Sequence, residues 1–117
     1  MRLRLAFVAA IVAALLVPSV AQAYTRLYGK VGPDMTIMLK RANGTAVRRV
    51  RHGRKTFIIR DRSDLHNFHL FGPGVDRATG VDFVGRRKWR GVRLVPGTYT
   101  YRCDVHQSTM TKTFTVF

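Results

Sequence analysis

Cys103, His106 and Met110 stand at C-x2-H-x3-M near the C-terminal end of a 117-residue chain, and Cys103 is its only cysteine. A thiolate, an imidazole and a thioether on one short stretch form a soft donor set. Such a set suits copper, which is often held by two histidines and a cysteine in a plane with a weak axial methionine. Structural zinc draws on more thiolates or histidines. A lone cysteine has other uses. It can be a buried free thiol that packs like a small hydrophobe, although an exported, unpaired thiol is open to oxidation. It can also be a nucleophile with His106 as its base, but no third group or oxyanion site completes that machinery.

The donors need elements to position them. From Thr98 to Cys103 the residues alternate, with Tyr99, Tyr101 and Cys103 on one face and Thr98, Thr100 and Arg102 on the other. That period is a strand's, so Cys103 is expected to end a strand facing inward. A tight loop then returns His106 and Met110 to the same point, and Lys112 to Phe117 leads away as the last strand. The plane needs a second histidine, and the stretch DLHNFHLF (64–71) offers His66 and His69. Three apart on one strand, they face opposite sides, so only one reaches a given metal. His66 starts the run, near a mouth of the fold. Asn67 beside it could hydrogen-bond the two donor-bearing segments together. His69 is otherwise a face residue or an outer group.

The remaining elements are also short and β-like. Met35, Ile37 and Leu39 alternate, and Asn43-Gly44 is a hairpin signal that makes 47–51 the expected return strand. His52-Gly53-Arg54 reads as a turn. Thr56 to Arg60 is β-rich, with Phe57 and Ile59 on one face, and Leu65 to Phe71 ends at Gly72-Pro73-Gly74. Gly80 to Gly85 is a further short segment. In Lys88 to Val95 the inward set Trp89, Val92, Leu94 slips by one near Gly91, which predicts a β-bulge. Many short strands with regular turn signals predict an all-β sandwich or small barrel.

Two of these stretches carry a resemblance. PGTYTYRCDVHQSTM (96–110) is similar to the last strand pair and ligand loop of cupredoxins of the plastocyanin and amicyanin kind. LHNFHL (65–70) resembles their upstream ligand strand, which a His-Asn pair opens. The resemblance covers most of Thr56 to Phe117. It implies a Greek-key β-sandwich with one type 1 copper at one end, used for one-electron transfer. It also implies that His66, Cys103 and His106 are equatorial ligands, that Met110 is axial and that Asn67 supports them from behind. The three residues between His106 and Met110 leave the axial distance, and hence the potential, open. His66-Asn-Phe-His69 is not the His-x-His pair of a multicopper oxidase, and a binuclear site would need a second cysteine. The chain is therefore not expected to be an enzyme. The alternative readings are an exported copper-buffering protein without a dedicated redox partner, or a basic β-sandwich that binds envelope polyanions.

The N-terminal stretch MRLRLAFVAAIVAALLVPSVAQA pairs Arg2 and Arg4 with an apolar run and ends in Ala21-Gln22-Ala23, the pattern of a cleaved secretory signal. This divides the chain into a signal peptide (1–23) and one extracytoplasmic domain (24–117), secreted or periplasmic, without a membrane span and read as a monomer. Its 21 lysines and arginines face only six acidic residues, for a net charge of +15. That balance favours an acidic redox protein or an anionic envelope surface as partner. No nucleic-acid motif or stacking groove accompanies it. Arg48, Arg49 and Arg51, and Arg86, Arg87 and Lys88, are candidate docking cations.

Overall fold

Alternation of apolar residues between turn signals becomes strands throughout the domain. The computed structural model describes residues 6, 8–16 and 23–117. In chain order the strands are β1 (Thr25–Val31), β2 (Ile37–Arg41), β3 (Arg49–Val50), β4 (Gly53–Asp61), β5 (His69–Gly72), β6 (Val75–Ala78), β7 (Gly85–Leu94), β8 (Gly97–Arg102) and β9 (Thr111–Val116). They form two sheets, β2-β1-β4-β7 and β3-β9-β8-β5-β6. β1 pairs parallel to β4 and β3 parallel to β9; the other pairings are antiparallel. The architecture is an all-β sandwich of mixed sheets, as the sequence predicts.

The core lies between the sheets. Leu27, Val31, Leu39, Phe57, Ile59 and Leu94 from one sheet meet Leu70, Tyr99, Tyr101, Phe114 and Val116 from the other, all buried. Burying such side chains stabilises a fold by about 1.5–3 kcal/mol each, which a domain this small requires. Phe68 fills the centre. Its ring stacks on Tyr101 at 5.4 Å between centroids, and a Cβ on Gly29 would come within 2.9 Å of it. Glycine at position 29 is what allows that ring in. Tyr99 also closes a corner, since its hydroxyl donates to the Pro73 carbonyl (2.8 Å) and accepts the Val95 N–H (3.1 Å).

The bulge expected at Gly91 is present. The β4–β7 register steps from Lys55↔Val92 to Phe57↔Trp89, so β7 carries the extra residue, and Gly91 takes φ +65°. An L side chain is disfavoured there.

Other elements differ from the sequence reading. β1, a full strand in the middle of its sheet, carries too weak a pattern at 24–31 to be picked out. The Asn43-Gly44 turn forms, but the chain touches β2 only through a Lys40–Ala46 bridge before crossing to the other sheet. β3 there runs parallel to β9, so 47–51 is not a return strand. Met35 lies outside β2 and is 47 % exposed, so it does not share the inward face of Ile37 and Leu39. β4 already begins at Gly53, inside the expected turn. Gly72-Pro73-Gly74 ends β5 as expected and turns the chain into β6, and 80–84 is loop.

The expected signal peptide falls partly outside the described residues. Where it is described, at residues 8–16, it has no secondary structure, and Val8, Ile11, Val12, Leu15 and Leu16 are about nine-tenths exposed. Among the described residues no helix is long and apolar enough to cross a membrane.

Candidate metal centre

Strand β8 delivers Cys103 to one end of the sandwich, fully buried, one residue past its last ladder position. The loop that follows closes on itself. Cys103 N–H donates to the Met110 carbonyl (3.0 Å), and the His106 carbonyl accepts from Met110 N–H (2.9 Å) and Thr109 N–H (3.2 Å). The loop therefore returns His106 to Cys103 and ties Met110 to it through the backbone, and the Met110 side chain is fully buried.

His66 arrives from the β4–β5 loop. The reading of 65–71 as one strand was wrong, because strand pairing begins only at His69. The two histidines therefore differ in place as well as in direction. His66 is 3 % exposed and turns inward to the cysteine, while His69 sits on the outer face of β5. Its loop is shaped by local bonds from Ser63 N–H to Asp61 Oδ1 (3.2 Å) and from Leu65 N–H to Ser63 Oγ (3.0 Å).

The result is a triangle. Cys103 Sγ lies 3.7 Å from His66 Nδ1 and 3.6 Å from His106 Nδ1, and the two Nδ1 atoms are 3.0 Å apart. A triangle with these sides has a centre about 2.0 Å from each corner, close to metal–imidazole (~2.0–2.1 Å) and metal–thiolate (~2.3 Å) bond lengths. Among the described residues this is the one His/Cys/carboxylate cluster with room for a metal ion. Two imidazoles and a thiolate, with a thioether buried at the end of the same loop, fit copper better than a hard cation.

Asn67 joins the two segments as expected. Its Oδ1 accepts Asp104 N–H (2.8 Å), and its Nδ2 donates to Asp104 Oδ2 (3.0 Å) and to the Thr79 carbonyl (3.2 Å). Behind it runs a polar chain that sequence reading did not find. The Thr79 hydroxyl accepts Phe68 N–H (2.8 Å) and donates to buried Asp61 (3.0 Å). Burial pushes the Asp61 carboxyl up, against the hydrogen bonds from Ser63 and Thr79 that pull it down. Asp104 is the hub. Partial burial would raise its carboxyl, but hydrogen bonds from Asn67, His69 and Arg102 hold it below the ordinary range. A D immediately after the cysteine was the only signal of that hub in the sequence.

His69 is bonded at both ring nitrogens, Nδ1 to Asp104 (2.8 Å) and Nε2 to Asp76 (2.6 Å). Burial would lower its pKa, but the two carboxylates outweigh it and raise it. A histidine raised on folding contributes stability fully below about pH 6.5, and that contribution is lost as pH rises through the folded pKa. The denaturant midpoint of His69→Gln should therefore lie closest to wild type at alkaline pH and diverge below neutrality. A constant difference across that range would contradict the pairing.

No family model matches the chain, and no curated protein does. Among solved structures it is similar to an amicyanin variant in its reduced state, with 22 % identity, 84 % of this chain and 86 % of that one covered, and a TM-score of 0.47. It is also similar to auracyanin A, a blue copper protein of the green thermophilic photosynthetic bacterium Chloroflexus aurantiacus. There the identity is 13 %, the coverage 81 % and 100 %, and the TM-score 0.49. The chain itself shows two mixed sheets with an imidazole pair and a thiolate gathered at one end of them.

Proposed function

We propose that this protein is a mononuclear blue-copper electron carrier, in which His66, Cys103 and His106, with Met110 as a weaker fourth donor, would hold the copper. The observation that carries the reading is the triangle of Sγ and two Nδ1 atoms around a point within bonding distance of all three. Copper in such a site would supply a one-electron couple between Cu(I) and Cu(II).

The chain's own residues do the rest. His66 and His106 each present Nδ1 toward the point they share with Cys103 Sγ. Asn67 and Asp104 hold the cysteine loop against the β4–β5 loop, so the donor positions do not depend on the metal's charge. Burial of Cys103, His66 and Met110 keeps water from the donors, while half-buried His106 is the edge nearest solvent. A site that changes little between oxidation states exchanges electrons with little rearrangement, which suits a carrier rather than an enzyme.

The same reading takes 1–23 as a signal peptide cleaved near Ala23 and 24–117 as the mature, extracytoplasmic domain. The exposed apolar residues at 8–16 and the start of the sheet at Thr25 support it. N-terminal sequencing of the exported protein should begin at Tyr24.

Loading with Cu(II) should produce an intense thiolate-to-copper absorption band and a narrow hyperfine splitting in EPR. A pale type 2 spectrum would point to copper buffering, and absence of copper binding would overturn the proposal. Met110→Leu should keep the band and shift the reduction potential, because a weak axial donor tunes the couple without creating the chromophore. An unchanged potential would remove Met110 from the site.

A further inference from the structure

The positive charge is not spread evenly. On the outer face of the β2-β1-β4-β7 sheet, two ladder rows can be followed across all four strands. One reads Met38, Lys30, Arg60, Arg86, and the next reads Lys40, Tyr28, Ile58, Lys88. The alternate residues Leu27, Leu39, Phe57, Ile59 and Trp89 point into the core, which leaves these two rows facing out. Lys30, Arg60, Arg86 and Lys88 are exposed, and Tyr28, Met38 and Lys40 are half-buried.

No exposed carboxylate shares this face. Asp34, Asp64, Asp82 and Asp104 are in loops, Asp76 is on β6 and Asp61 points inward. Among the described residues the ion pairs join His69 and Arg102 to Asp76 and Asp104, on the other sheet and its loops, so none neutralises these cations. Neighbouring strands are about 4.8 Å apart, so Lys30, Arg60 and Arg86 form a row of like charges directly opposite one another. That juxtaposition is unfavourable for the isolated fold. An anionic partner would relieve it.

The middle of the face sets the class of partner. Tyr28 and Ile58 lie side by side on the two central strands, between Lys40 and Lys88 in their own row and next to Lys30 and Arg60, with Met38 at the β2 edge; the groove they line with Lys30, Arg60 and Arg86, and with buried Asp61 at its wall, has a volume of about 730 Å³. Apolar and aromatic groups at the centre with charge at the rim is the anatomy of a protein–protein contact. A phosphate backbone offers nothing apolar to that centre, and a lipid layer binds a protruding apolar face rather than filling a groove.

We infer that the outer face of this four-stranded sheet docks an acidic protein surface, its Asp and Glu side chains meeting Lys30, Arg60 and Arg86 around the Tyr28–Ile58 centre. The first row lies one residue from Asp61, where the chain leaves β4 for the loop bearing His66, so the docked partner sits beside the metal end. That the partner is a redox protein rests on the electron-carrier reading; the docking itself does not.

The test uses the copper-loaded mature protein and poly-L-glutamate as an acidic polypeptide probe. Vesicles of phosphatidylglycerol and phosphatidylcholine, and duplex DNA, serve as rival probes. Binding to poly-L-glutamate should weaken steeply with salt. Lys30→Glu with Arg60→Glu should weaken it at least tenfold, whereas Arg48→Glu with Arg77→Glu, the same charge change on the other sheet's side, should stay within about twofold. Equal losses in both pairs would show that net charge alone binds, and overturn the inference. So would tighter, face-dependent binding to vesicles or DNA. Lys30→Arg with Arg60→Lys should bind as wild type, which guards against a folding artefact. The visible spectrum is recorded for every variant. A missing band in the wild type would count against the copper reading alone, because docking is scored without it.

Discussion

Replacing Cys103 with serine is expected to abolish the thiolate-to-copper band completely. The band needs a deprotonated sulfur bound to the metal, and a serine hydroxyl is neither soft nor ionised at neutral pH. The fold should survive. Serine keeps the backbone N–H that bonds the Met110 carbonyl, so the loop closure is retained. The cost is a hydroxyl in a fully buried position, roughly 1–3 kcal/mol if it finds no acceptor. Cu(I) affinity should fall further than Cu(II) affinity, since the soft donor favours the reduced ion. Visible spectroscopy with circular dichroism on the same sample separates loss of the ligand from loss of the fold. A persisting band would remove Cys103 from the site.

The second large effect is expected at Asn67, which never touches the metal in the proposed site. Asn67→Ala strips the Asp104 N–H and the Thr79 carbonyl of their partners together. Each buried group left unsatisfied costs about 1–3 kcal/mol, so the change should remove roughly 2–5 kcal/mol. That is a large share of a small domain's typical 5–15 kcal/mol. Copper affinity should drop as well, by about 10–100-fold, the usual effect of losing a group that orients ligands. Asn67→Asp is the sharper probe. It keeps an acceptor for Asp104 N–H but sets a second carboxylate against Asp104 Oδ2, where the amide donated at 3.0 Å. Its deficit relative to wild type should shrink on mild acidification, as one of the two carboxyls takes up a proton. Chemical denaturation with and without copper checks both variants. Wild-type stability in Asn67→Ala would mean that the two loops hold without this bridge.

Both predictions concern a site whose two halves differed in legibility. Cys103 and His106 are three residues apart, so spacing and strand alternation were enough to expect them at one point, with Met110 closing the same loop. His66 was found through its neighbour Asn67 and by excluding His69, but for a partly mistaken reason. The argument placed both histidines on one strand, whereas His66 is in a loop and only His69 is on β5. His69 takes the outer face, where Asp76 and Asp104 occupy its two nitrogens, while His66 lies beside Cys103. Those carboxylates come from other strands and loops. No local pattern announces such a pairing.

Strand β1 shows the same limit in the fold. Its alternate inward position at Gly29 has no side chain, so the apolar rhythm is broken where the Phe68 ring needs space. Strand β3 is two residues long and pairs with the last strand of the chain, far away in sequence.

By itself, the sequence determined the β character of the domain, the bulge at Gly91, the inward direction of Cys103 and the soft chemistry of its loop, because all of these depend on residues a few positions apart. Only the tertiary structure decided that His66 reaches the thiolate from a loop, that Asp104, Thr79 and Asp61 stand behind it, and that Lys30, Arg60 and Arg86 line up without an exposed counter-charge. Each of those is set by strand register and by loops meeting across the sandwich. Such long-range pairings are stabilised by the burial of the whole core, and no short stretch of residues encodes them.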